Sequence, residues 1–411
     1  MLIKAGRLLD VRRGKIELNQ AILIDGERIK AVGPLPEVLK SSSPVDRVID
    51  LSDSTVLPGL IDSHTHILVN EDLTSEQYDE QLLKESVPYR TIRATVFART
   101  MLMRGFTTLR DIGTEGAMYA DADIKKAIER DIIAGPRMFV ATRAFSATGM
   151  YPLLGYSWEL NVPVGVQIVD GVEEIRRGVR EQIKNGADWI KVYADRRPYI
   201  KAGSLHSIAI FSQDEMNTFV SEAHRLGRRV AAHAMGEEGI ETALEAGVDS
   251  IEHGYALNDN LMDRMVRQGT YWCPTIYVTV YFAQEHAGVI PPPIRIAMRD
   301  VEERVLAIAV RRGVKIIFGT DAGAFPQSEN QAKEFTYMVK WGMSPIQAIQ
   351  SATIRAAEAL GVSDDVGAIE VGRFADIVAV KGDPIKDVSE LERVCFVMKG
   401  GKVQMSTNLA G

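Results

Sequence analysis

The chain has 411 residues, 46% hydrophobic and 25% charged, which is enough apolar material for a full core and too much chain for one small domain. Its formal charge of −7 at pH 7 argues against nucleic acid or an anionic membrane as a partner, since either needs a basic face. Two cysteines, Cys273 and Cys395, cannot build a disulfide framework, and no apolar run is long enough to span a bilayer, so a cytoplasmic protein is expected.

In chain order, residues 21–24 and 28–32 flank Asp25-Gly26-Glu27, a hairpin signal in which Asp-Gly supplies the positive φ angles of the turn. Ser41-Ser42-Ser43-Pro44 reads as a surface loop. From residue 55 a unit repeats, in which an amphipathic stretch ends at a glycine and a short apolar strand follows. Strands are predicted at 55–61, 107–112, 137–142, 189–193, 229–234, 250–252, 270–274 and 315–319. Glycines 105, 135, 186, 227, 247, 269 and 313 stand where each preceding helix is expected to end in a left-handed cap. Pro291-Pro292-Pro293 breaks the chain before a helix at 294–311, in a loop placed to form part of a substrate wall. Residues 375–380 and 394–398, a turn at 399–402 and Val403 give a second hairpin region. Isolated hairpins are marginal, so the two termini are expected to meet in one small sandwich. Alternating helices and eight parallel strands predict a (β/α)8 (TIM-like) barrel over 57–367, enclosed by a composite β-sandwich domain of 1–56 and 368–411. An open doubly wound sheet is the alternative.

Functional groups of such a barrel gather at the C-terminal ends of its strands. His64 and His66 in His64-Thr65-His66, Lys191, His233, His253 and Asp321 in Gly319-Thr320-Asp321-Ala322-Gly323 all fall there. A spacing of two puts His64 and His66 on one face. Taken singly, each has a plainer reading: decoration for His-x-His, core packing for His233 and His253, a turn residue for Asp321. Joint placement favours a metal site. Imidazole and carboxylate suit zinc, and more ligands than one tetrahedral ion requires point to two ions sharing a bridge, and so to metal-assisted hydrolysis. Lys191 shares one strand face with Trp189 and Tyr193, and an ammonium in a barrel wall is a costly unpaired charge. It must either pair, with Asp195 or Glu237, or be chemically changed. His206, His224 and His286 lack strand-end placement and read as surface or helix residues.

Pro58-Gly59-Leu60-Ile61-Asp62-Ser63-His64-Thr65-His66, Lys191, His233, Ile251-Glu252-His253-Gly254 and Gly319-Thr320-Asp321, in this order, resemble the amidohydrolase superfamily, in particular its imidazolonepropionase-like, prolidase-like branch. Gly372-Arg373-Phe374-Ala375-Asp376-Ile377-Val378 resembles that family's return strand, so the resemblance covers nearly the whole chain. It implies His64, His66 and Asp321 on one zinc ion, His233 and His253 on a second, and Lys191 carboxylated by carbon dioxide so that its carbamate bridges the two. The activity implied is cleavage of a C–N bond in a small molecule (an amide, carbamate, urea, N-acyl amino acid or dipeptide) by a metal-bridging hydroxide, with Asp321 as base and then acid. A homo-oligomer is also implied.

The chain departs from prolidase-like relatives in two places. Ala147-Thr148-Gly149-Met150 stands where they carry Gly-Gly-His after the third strand, and Met235 stands where they carry tyrosine two residues beyond the fifth-strand histidine. Recognition would then fall to Tyr193, Arg196, Arg197, Tyr151 or Tyr255, arginine being suited to a carboxylate. Arg196 and Arg197 read equally as solvated loop charges. A mononuclear deaminase or cyclic imidate hydrolase of the same superfamily is the alternative, but its glutamate three residues past the fifth-strand histidine is here Gly236, with Glu237 one step further on. A non-catalytic structural relative is disfavoured because all six ligand positions are filled.

Overall fold

The computed structural model describes residues 1–41, 46–70, 75–151, 156–285 and 290–407. Residues 42–44 of the expected serine loop, and His286, lie outside the described residues. Two compact units are present: Met1–Asp62 with Ala98–Leu109 and Asn330–Gly411, and Ser63–Phe97 with Arg110–Glu329.

The first unit contains β structure from both ends of the chain. Seven strands form one sheet in the order Lys402–Ser406, Phe396–Lys399, Ile377–Val380, Val48–Pro58, Leu2–Asp10, Lys15–Asp25 and Arg28–Pro34. The Asp25-Gly26 turn joins the last two strands, with Gly26 at φ 58°. Alternate residues of these strands, among them Ile3, Ile22, Ile49, Val56, Ile377 and Phe396, share one face and bury one apolar core, while Leu2 and Ala21 on the other face pack with Val38.

In the second unit, a parallel sheet runs in the order Lys315–Ile316, Tyr271–Cys273, Ser250–His253, Arg229–Ala234, Trp189–Tyr193, Phe145–Ser146 and Gln167–Ile168. Helices Val172–Lys184, Gln213–Arg225, Glu237–Ala246, Asp259–Gln268 and Pro292–Arg312 alternate with these strands. Ser212 and Glu215 form a capping box on the second of these, and Gly247 and Gly313 close the third and fifth with φ 83° and 80°. Past Ile316 the chain turns to the His64 segment: Ser63 N–H donates to the Phe318 carbonyl (2.9 Å), Asp321 N–H to the His64 carbonyl (2.8 Å), and Thr65 and Ala322 form a parallel bridge.

Several expected boundaries shift, each for a local reason. The strand expected at 55–61 divides: Thr55 to Pro58 pair antiparallel with Ile377–Val380, and a new strand, Leu60–Thr65, carries His64 within it. Arg137–Val140 stops short of 142 because Thr142 has φ 59°. Lys315–Ile316 is shorter than the expected 315–319, since the following residues turn to bond the His64 segment. Ser250–His253 includes His253, expected one residue beyond the strand. Gly135 is not among the left-handed helix caps; the helix before it ends at Glu129. A hairpin that periodicity had not indicated, Asp195–Lys201 with Ser204–Ala209, follows Trp189–Tyr193. It carries His206, which is therefore a half-buried strand residue bonded to Glu238 (2.8 Å) and not a surface or helix residue. His224 lies on a helix and meets Asp249 at 2.7 Å.

Gly59, between the two strands made from the expected 55–61, has no room for a side chain, because an added Cβ would overlap the side chain of Thr107. Gly59→Ala should therefore lower unfolding stability by about 1–3 kcal/mol, read as a drop in the urea midpoint, with Thr107→Ala restoring part of the loss. An unchanged midpoint would contradict this close approach.

Candidate metal centre

His64, His66, Lys191, His233, His253 and Asp321 line one cavity of about 630 Å³ in the second unit. Their backbone strands run parallel, and adjacent registers place Tyr193 beside His233 and Ala234 beside His253. Ring centroids lie 5.4 Å apart for His64 and His66, 5.0 Å for His64 and His253, and 4.5 Å for His233 and His253. Asp321 Oδ1 stands 3.4 Å from His64 Nε2 and 3.3 Å from His66 Nε2.

Hydrogen bonds fix which nitrogen of three imidazoles faces the cavity. His64 Nδ1 meets the Glu252 carboxylate at 2.8 Å, and His66 Nδ1 meets the Gly113 carbonyl at 2.8 Å. His253 Nδ1 meets Thr275 Oγ1 at 2.9 Å and the Tyr255 hydroxyl at 3.4 Å; the Thr275 hydroxyl spends its proton on the Pro274 carbonyl (2.6 Å), so in the shorter contact the imidazole donates. Each Nδ1 therefore carries hydrogen and turns Nε2 toward the cavity, the orientation that outer-shell partners impose on metal-binding histidines. Burial pushes His64 down to about 4, and His233 and His253 well below the ordinary histidine value, which keeps these rings neutral. Burial acts the same way on His66, but its hydrogen bond with Asp321, together with the charges of Asp321, Glu115 and Asp111, outweighs burial and raises the ring to about 9. Against burial, the electrostatic interactions with His64 and His66, and the hydrogen bond with His66, hold the Asp321 carboxyl far below its usual range.

The buried polar atoms test whether this set fits a metal. Lys191 is 1% exposed and its Nζ has no hydrogen-bond partner; burial lowers its pKa to about 8. Neither expected partner takes it. The buried Asp195 carboxylate accepts from Met235 N (2.8 Å), Gly236 N (2.8 Å) and Ser207 Oγ (2.6 Å), while Glu237 is exposed and bonded to Asn258 (2.8 Å). His233 Nε2 is likewise buried without a hydrogen bond, 3.8 Å from Asp195. A lysine amine and imidazole lone pairs converging with a carboxylate suit divalent ions with nitrogen and oxygen ligands.

Behind the ligands, the fully buried Arg110 donates to Ser63 O (2.5 Å), Ser250 Oγ (3.1 Å) and Glu252 (2.7 Å), and packs 4.5 Å from the Trp189 ring. On another wall, the buried Glu115 accepts from the hydroxyls of Tyr78 (2.6 Å), Tyr193 (3.0 Å) and Tyr151. Burial raises all three phenols well above their usual value, so they remain donors. Tyr151, Tyr193, Arg196, Arg197 and Tyr255 all line the cavity; Arg197 donates to the Gly149 carbonyl at 3.1 Å. Sequence reasoning missed Arg110, Glu115, Tyr78 and the role of Glu252. Arg110 and Glu252 were within reach, being charges inside apolar strands like Lys191. Glu115 and Tyr78 had no local pattern.

The sequence profile of the Amidohydrolase family matches residues 55–404. Ochratoxinase of Aspergillus niger is 29% identical, over 94% of this chain and 82% of that protein. Imidazolonepropionase of Fusobacterium nucleatum subsp. nucleatum is 27% identical, over 88% and 85%. A solved Xaa-Pro dipeptidase with methionine bound in its active site is 36% identical, superposes with a TM-score of 0.87 and covers 98% of each chain.

Glu252→Gln should weaken retention of a divalent ion by about 10–100-fold, because the hydrogen bond that orients His64 loses its charge. Competition with a chromophoric chelator measures this, and retention equal to the unmodified protein would remove Glu252 from the site's support.

Proposed function

The chain belongs to the amidohydrolase family and is a metal-dependent hydrolase of C–N bonds, and we propose that it works through two divalent ions, most simply zinc, held by His64, His66 and Asp321 on one side and His233 and His253 on the other, with carboxylated Lys191 between them. The observation that carries this reading is the buried Lys191 amine, which has no hydrogen-bond acceptor and whose charge is felt by His64, His233 and His253. Carboxylation converts that cation into an anion with two ligand oxygens, which answers both its charge and its isolation. When bound, the ions supply an activated water and polarise the scissile carbonyl. Asp321, between His64 and His66, takes the proton of the attacking water and returns it to the leaving nitrogen. Tyr193, Arg196, Arg197, Tyr151 and Tyr255, on the cavity wall, are the proposed substrate contacts.

The same reading extends to architecture and setting. The alternation of helices and parallel strands, and the return of residues 318–322 to the His64 segment, support a (β/α)8 barrel over 57–367 with a β-sandwich from 1–56 and 368–411. Two buried free cysteines and the absence, among the described residues, of a helix able to cross a membrane support the cytoplasmic reading. A homo-oligomer acting on a small molecule completes it, supported by the family resemblance.

A mononuclear reading has one observation in its favour: ligand atoms of His64, His253 and Asp321 all lie within 4.8 Å of one another, enough for a single ion. Metal analysis separates the two readings, with two ions per chain expected and one ion decisive against the bridge. Lys191→Ala should lose bound metal and activity together, and unchanged metal content would refute the carbamate. Asp321→Asn should keep some metal while kcat falls about 10²–10⁴-fold, measured on a library of N-acyl amino acids, dipeptides, carbamates and arylureas.

A further inference from the structure

One wall of the cavity holds a cation, Arg196, to which the reaction described above assigns no particular group of the substrate. The Arg196 guanidinium lies 4.7 Å from the centre of the Tyr151 ring and 5.1 Å from that of Tyr193. Both rings are held from behind, since their hydroxyls are committed to Glu115. A guanidinium resting on two fixed π faces has its plane set and its edge N–H groups free for a planar acceptor. Those N–H groups donate to no described residue, and the side chain lines the cavity. Tyr193 in turn lies 4.7 Å, centre to centre, from the ring of His233. Arg196 is therefore one aromatic ring removed from the metal ligands.

The remaining charges of this wall are already engaged. Glu115 accepts three hydroxyls, so it is no open receptor for an ammonium group. Arg197 is turned to the Gly149 carbonyl. Elsewhere the lining includes an apolar patch, with Met235, Tyr255 and Met298 buried in one cluster and Ile290 and Ile294 packed on it, while Asp79 accepts from Tyr156 and Thr279 donates to Glu302. Arg295, the one further arginine among the lining residues, donates to the Phe282 carbonyl at 2.9 Å.

We infer that Arg196 anchors a carboxylate of the substrate, so that the preferred substrate is an amide with a carboxylate at one end and a bulky apolar group at the other. This rests on the hydrolase reading of the metal site. It also gives this chain an anion anchor where Ala147-Thr148-Gly149-Met150 and Met235 stand in place of the Gly-Gly-His and tyrosine of prolidase-like relatives. Arg196 makes a bidentate, charge-assisted contact, and the Glu115–tyrosine cluster positions it.

The test compares N-benzoyl amino acids, each paired with its own C-terminal primary amide, on the metal-loaded protein. The acid should be preferred by about 10–100-fold in kcat/KM. Arg196→Gln should erase that preference, chiefly through KM, Arg196→Lys should restore part of it, and Arg295→Gln should retain it. Calorimetry on the metal-loaded Asp321→Asn protein, with and without Arg196→Gln, reads the same preference as binding of acid over amide and needs no turnover. Failure of every pair to be hydrolysed would count against the hydrolase reading, and the calorimetry would still decide the anchor. Equal binding of acid and amide, or loss of the preference in Arg295→Gln in place of Arg196→Gln, would overturn the inference.

Discussion

A lysine amine held at 1% exposure in the middle of a parallel strand, with no acceptor in reach, is the constraint on which the rest of the site depends. Burying an unpaired ammonium costs several kcal/mol, and proteins ordinarily answer with a carboxylate or with neutralisation. Here burial lowers the pKa of Lys191 to about 8, with the negative charges of Glu252 and Asp321 opposing that shift. Glu252 is in turn satisfied by Arg110 and His64, and Asp321 by His64 and His66, so neither is free to pair with the amine. The proposed carbamate and two cations would resolve this in one step: the amine's charge changes sign, and neutral imidazoles around it gain the electrophile their lone pairs suit.

The backbone also bears a cost at this site. His253 and Asp321 adopt φ 70° and 61°, a region that a residue with a Cβ enters at about 1–3 kcal/mol each. Neighbours hold them there: Trp272 Nε1 donates to the His253 carbonyl (2.7 Å), and Asp321 N–H to the His64 carbonyl (2.8 Å). His253, at the end of its strand, and Asp321, in the segment after Lys315–Ile316, both line the cavity. Glu115, Arg197 and Thr275, at or beside the same cavity, share this conformation, and strain held at such positions is what a preorganised site requires.

Much of the fold was legible because its signals are local. Apolar runs bounded by glycine located most of the parallel strands, and the two-residue period explains how His64 and His66 share a face. Boundaries failed where a single residue's conformation decided them, as at Thr142, or where one apolar run served two sheets. Residues 55–61 read as one strand on apolar content, although Pro58-Gly59 is a strand-breaking pair at the change of sheet; what demands glycine there is the close approach of Thr107, distant in sequence. The residues of the candidate metal centre were legible for a related reason. A histidine, lysine or aspartate at the end of an apolar strand is out of place on physical grounds, and that incongruity can be seen without knowing any contact. By the same argument Arg110, in a strand buried at every position, was equally visible.

The cavity wall is a different case. Glu115, Tyr78, Tyr151 and Tyr193 come from four separate segments, and each is an ordinary residue in its own surroundings. Only folding makes them a network, and no periodicity or spacing encodes it. The same property makes such a wall free to change. Ligands at strand ends are constrained by the parallel register of their neighbours, whereas loop and hairpin residues can be exchanged with little effect on the sheet. The relatives named ochratoxinase, imidazolonepropionase and Xaa-Pro dipeptidase carry different substrate names on alignments that span most of this chain. Chemistry fixed by the strands and selectivity carried by the connections would produce that distribution, and it would leave the reaction class easier to read from one sequence than the substrate.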